Sequence, residues 1–74
     1  MLIDNELFRL IRVTNRLSQR EFAKLIGVSH GLVSHIETNL KPVSERVNEL
    51  VIRKLELTAE DIEKYKELLK LKAI

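Results

Sequence analysis

Ser18, Gly27 and Ser29 mark out two short helices and leave little choice in how they are joined. Ser18 is an N-cap residue and Glu21 stands three positions on, so the two form an S-x-x-E capping box. Leu17 and Phe22 bracket the same start as a hydrophobic staple. Phe22, Ala23 and Ile26 then share one face, and Gly27 follows where the end of a helix calls for a left-handed residue. Ser29 caps the next helix, expected over residues 30–38, and Val28 and Val33 repeat the staple. Its apolar stripe is narrow, with Val33, Ile36 and Leu40 at i, i+3 and i+7. So short a turn makes the two helices cross steeply, with their backbones close where Ala23 faces Val33. His30, Gly31, Ser34, His35 and Thr38 are left on an outer face of small or hydrogen-bonding residues that has no core to cover.

The remaining segments read as support for this pair. Asp4 caps a first helix running to about Thr14, with Ile3 and Phe8 as its staple. Phe8 and Ile11 suit the core, while Leu7, Leu10 and Thr14 point to a second flank that needs cover from the C-terminal helix or from another chain. Asn15 and Arg16 form the break. Residues 39–43 are a loop, because Pro42 stops the helix before it from continuing. A fourth helix starts at Ser44 and ends near Glu56, with Val47, Leu50, Val51 and Leu55 on its buried side and Ile52 on a flank. Leu57, Thr58, Asp61 and Ile62 combine a staple with a T-x-x-D box and open a fifth helix at about Ala59. Acids in its first turns and Lys70 and Lys72 in its last match the helix dipole. Ile62, Tyr65, Leu68, Leu69, Leu71, Ala73 and Ile74 give this helix more apolar surface than a small core needs. The tail either wraps the first helix at Leu7 and Leu10 or makes a two-fold contact with a second chain, and the surplus favours a mixture of the two. Leu7, Leu10, Tyr65, Leu68, Leu69 and Leu71 are the candidates for that contact.

Seventy-four residues with a single Pro and two Gly make one all-α domain spanning 1–74, too short to bury a large core alone. No stretch is long enough to cross a membrane, and Asp4 and Glu6 follow Leu2 and Ile3 too soon for a signal peptide, so the cytoplasm is the expected location. Without cysteine there are no disulfides and no thiol chemistry. A net charge of +2 says little, but residues 1–54 carry nine Lys and Arg against six Asp and Glu, whereas residues 55–74 carry four against five. The basic part coincides with the two short helices, although ordinary solvated faces explain the charge equally well.

Gln19, Ala23, Gly27, Val33 and Ile36, followed by the Ser-His-Ile-Glu ending at 34–37, resemble the Cro and lambda-repressor-like, XRE-type helix-turn-helix family over roughly Phe8 to Leu55. The resemblance implies a compact five-helix lambda-repressor-like domain whose second and third helices form the motif, with the third entering the major groove of double-stranded DNA. It implies that Gln19, Thr38, Asn39 and Lys41 face the phosphate backbone, with Arg20 beside them and Arg16 and Arg46 adding to the field. It also pairs Arg12 with Glu37 as a structural ion pair. Relatives often have glycine where this chain has Arg16, which leaves Asn15 as the expected left-handed residue.

Bases would be read by Ser29, His30, Gly31, Ser34 and His35, with His35 as the main reader and Gln19 bracing His30. No Arg, Lys, Gln or Asn stands on this face before Asn39, so the strong bidentate contacts to guanine and adenine are missing. His30 and His35 lie about 140° apart around a helix and cannot share a metal ion, and no motif for a cofactor or for catalysis is present. Two functions therefore compete. One is a sequence-specific DNA-binding regulator, a repressor or Cro-like switch, acting as a homodimer on a palindromic operator. The other is a protein-binding antirepressor on the same fold that acts on a partner repressor.

Overall fold

The computed structural model describes residues 2–72; Met1, Ala73 and Ile74, the last two expected on the apolar tail, lie outside the described residues. Among them there are five helices and no strand: α1 (Asn5–Thr14), α2 (Gln19–Ile26), α3 (His30–Glu37), α4 (Glu45–Lys54) and α5 (Ala59–Lys72). This is the all-α architecture that the sequence predicts.

Every helix starts on a side-chain cap. Asp4, Ser18, Ser29 and Ser44 accept hydrogen bonds from the backbone N–H groups of Leu7, Glu21, Leu32 and Val47, three residues on in each case. Both boxes close: Ser18 N donates to Glu21 Oε1 at 2.8 Å, and Thr58 N donates to Asp61 Oδ2 at 2.9 Å. Those bonds hold the Glu21 and Asp61 carboxyls below their ordinary range, since the ionised form is the better acceptor.

The helix ends share one device. Each of α2, α1, α3 and α4 is followed within two residues by a left-handed residue: Gly27 (φ 84°), Arg16 (φ 57°), Asn39 (φ 63°) and Glu56 (φ 52°). In each case the following residue donates back across the last turn: Val28 to Ala23 O, Leu17 to Arg12 O, Leu40 to His35 O and Leu57 to Ile52 O. This is the Schellman arrangement, which satisfies carbonyls that a helix end would otherwise orphan. The left-handed residue after α1 is thus Arg16 and not Asn15, whose φ is −87°. Asn15 instead spends its side chain, donating from Nδ2 to Ile11 O at 2.7 Å and to the Tyr65 hydroxyl at 3.0 Å.

One core unites the elements. Phe8 and Phe22 meet edge to face with ring centroids 5.1 Å apart, and Ile11, Ile26, Val33, Ile36 and Val51 are fully buried around them. Leu40 does not extend the α3 stripe. The helix has ended at Glu37, the chain reverses at Asn39, and Leu40 is 72% exposed. Of the two covers expected for Leu7, the structure shows the C-terminal helix: α5 packs on α1, Ile62 and Leu7 are both buried, and Leu7 belongs to the core and is not open to a second chain as a dimer contact. Leu10 and Tyr65 are half-buried against the core, whereas Leu68 and Leu71 remain exposed.

Candidate nucleic-acid interface

α3 divides along its length. Val33 and Ile36 face the core with no exposed surface, and Leu32 packs beside them. On the other side His30, Gly31, His35 and Thr38 are exposed, Ser34 is half-buried, and Ser29 is exposed at the N-cap with its hydroxyl accepting from Leu32 N at 3.1 Å. A Cβ on Gly31 would meet nothing within 4 Å, so the absent side chain leaves the backbone approachable along that face. None of His30, Gly31 and His35 packs into the core, and together they form a small ridge that carries no Lys, Arg, Asp or Glu.

The far end of α3 is anchored from two sides. Arg12, on α1, forks onto Glu37: Nε donates to Oε2 at 2.6 Å and Nη2 to Oε1 at 2.7 Å, while Nη1 donates to Leu17 O at 2.9 Å. The two side chains are 14% and 3% exposed, so the pair is largely shielded from water. Gln19, the first residue of α2, donates from Nε2 to Glu37 Oε1 at 3.1 Å and does not brace His30 as expected. Burial alone would raise the Glu37 carboxyl. The hydrogen bonds from Arg12 and Gln19 and the nearby charges of Arg12 and Arg9 outweigh it and hold the group below the usual carboxylate range. The hydrogen bond to Glu37 raises the Arg12 guanidinium against the opposing effect of burial.

Asn5 supplies the second anchor. From the first turn of α1 its Nδ2 donates to Ile36 O at 2.9 Å and Lys41 O at 2.8 Å, tying the end of α3 and the loop after it to α1. Asn48 acts similarly on the chain start, accepting from Ile3 N at 2.8 Å. Neither residue carries a signal in the sequence, whereas Arg9, three residues before Arg12 and hence on the same side of α1, is legible from its spacing. Arg9 Nε stands 3.8 Å from Glu37 Oε1.

The residues assigned to the backbone are spread around this frame. Gln19 and Arg20 open α2, Gln19 half-buried and Arg20 exposed, while Thr38, Asn39 and Lys41 are exposed beyond the end of α3. The Thr38 hydroxyl donates back to Ser34 O at 2.9 Å, so it must rotate to donate to a phosphate. The α2 start and the α3 end therefore flank the outward ridge, linked through Glu37.

Searches of curated proteins and of solved structures find no match. The family model described as a helix-turn-helix domain matches residues 6–64, from the first turn of α1 into α5. That span covers most of the chain and is consistent with the XRE-type resemblance, so the protein belongs to the helix-turn-helix domain family.

Proposed function

We propose that the protein is a sequence-specific transcriptional regulator, of repressor or Cro-like type, that lays α3 in the major groove of operator DNA. The observation that carries this reading is the outward side of α3, exposed at His30, Gly31, His35 and Thr38 and held at its far end by the Arg12–Glu37–Gln19 cluster. Ser29, His30, Gly31, Ser34 and His35 read base edges; Gln19, Arg20, Thr38, Asn39 and Lys41 meet phosphates. Two copies act together on a palindromic site, with half-sites about 34–36 Å apart, joined through the side of α5 that leaves Leu68 and Leu71 exposed and Leu69 half-buried.

Selection of bound sites from random duplex DNA tests the proposal. A symmetric motif with half-sites about one helical turn apart should emerge, and His35→Ala should relax one position per half-site by about 1–3 kcal/mol. A bound pool indistinguishable from the input would end the reading.

The exposed Leu40, adjacent to α3, favours a second reading as a protein-binding module that occludes a partner repressor. Salt separates the two, because phosphate contacts weaken steeply with salt and an apolar contact does not.

A further inference from the structure

We propose that Arg9 grips a DNA phosphate at the edge of the interface, an extension that rests on the DNA-binding reading above. Two guanidiniums address the single carboxylate of Glu37. Arg12 takes both of its oxygens at 2.6 and 2.7 Å, and Gln19 adds a third donor at 3.1 Å. That carboxylate is answered in charge and geometry before Arg9 is counted. Arg9 Nε lies 3.8 Å from Oε1, well beyond the roughly 2.7–2.9 Å of a charge-assisted hydrogen bond. Its side chain is 54% exposed, against 14% for Arg12. The three charged groups therefore carry one surplus positive charge, and it resides on the outer guanidinium.

The position of that charge points to its ligand. Arg9 approaches the same oxygen, Oε1, that Gln19 donates to, so its guanidinium sits beside the N-terminal edge of α2 where Gln19 and Arg20 face the backbone of the groove. Glu37 draws the long Arg9 side chain toward that edge and lowers the entropy lost when a ligand orders it. A phosphate there would exchange one loose contact for a short, two-pronged bond of the kind a guanidinium makes best. The role is sequence-independent, since it grips the backbone and reads no base.

The test measures affinity by fluorescence anisotropy against salt, on a labelled mixed-sequence duplex of about three helical turns. Arg9→Ala and Arg9→Gln should each flatten the slope of log K against log salt by about 0.9 per lost phosphate contact. Arg9→Lys should retain most of the slope because it keeps the charge. Lys64→Ala, which removes the same charge from an exposed position on α5, should leave the slope unchanged. Melting temperatures of the Arg9 variants should match the parent, because Glu37 keeps Arg12 and Gln19. A parental slope in both Arg9→Ala and Arg9→Gln, an equal loss in Lys64→Ala, or a large fall in melting temperature in both Arg9 variants would overturn the proposal. Parent protein whose binding ignores salt would instead overturn the DNA-binding reading, and that result needs no variant.

Discussion

Without the Arg12 guanidinium, Glu37 would keep a carboxylate 3% exposed, answered only by Gln19 and the more distant Arg9. Arg12→Ala and Glu37→Ala should each cost about 3 kcal/mol in urea denaturation, whereas a double replacement by leucine should cost much less, since it strands no charge. Acid should loosen the same knot. Because the folded Glu37 carboxyl titrates below its ordinary range, its stabilisation is complete above the unfolded value of about 4.3 and is lost as pH falls through the lower folded value. Circular dichroism should show the parent losing stability in that window, and Glu37→Gln should be less stable at pH 7 yet lose less on acidification. Gly31 offers a change of opposite sign. Its missing Cβ has open space around it, so Gly31→Ala should raise thermal stability by about 1 kcal/mol. Sequence matching names Arg12 and Glu37 together but gives no hint of Asn5, whose two carbonyl partners, Ile36 and Lys41, are brought to it only by the packed fold.

The helix starts are readable in the sequence, as are the ends of α1 at Thr14 and α2 at Gly27, but the left-handed residues that close α1, α3 and α4 are not, for a physical reason. A cap and its partner are three residues apart, so Ser18 with Glu21 or Thr58 with Asp61 declares itself within one turn of chain. The Schellman ends use glycine only at Gly27; Arg16, Asn39 and Glu56 adopt the left-handed conformation without glycine's signature. The overlooked signal was the apolar residue that follows each of them, Leu17, Leu40 and Leu57, which is the usual companion of that motif. Spacing alone puts Leu40 on the α3 stripe, but it follows the left-handed Asn39 in the loop, and spacing does not show which way the chain then turns. A left-handed residue bearing a Cβ costs about 1–2 kcal/mol. Arg16→Gly and Glu56→Gly should therefore each raise the melting temperature, by an amount worth about 1 kcal/mol after glycine's added freedom in the unfolded chain is subtracted. Differential scanning calorimetry would measure both, and a fall in either would mean that the replaced side chain contributes more than the backbone strain it causes.

The molecule has a radius of gyration of 11.4 Å, close to the roughly 11 Å of a folded chain of this length, so the described residues hold no protruding arm. Shape and charge then assign different work to the two ends of the sequence. Residues 1–54 carry the basic surplus and the α3 ridge, while α5 covers Leu7 and leaves Leu68 and Leu71 outside at 45% and 68% exposure. Sedimentation at tens of micromolar should show a dimer, and Leu68→Glu with Leu71→Glu should return it to a monomer without unfolding it. A parent that sediments as a monomer at that concentration would remove the two-fold arrangement. The apolar surplus of the tail was legible in the sequence; its division between α1 and open surface was not, because Leu7 and Leu10 occupy neighbouring parts of α1 and only packing separates the buried from the half-buried.

The ridge of α3 also bears on how such a protein changes over generations. His30, Gly31 and His35 hold nothing in the core, while the residues that fix the helix, Val33, Ile36 and Glu37, lie on its other side or at its end. Substitutions along the ridge thus disturb no core packing. If the ridge reads DNA as proposed, a lineage built on this scaffold can drift from one operator to another by single exchanges, each tolerated on arrival, and duplicated copies can part company in target long before they diverge in shape.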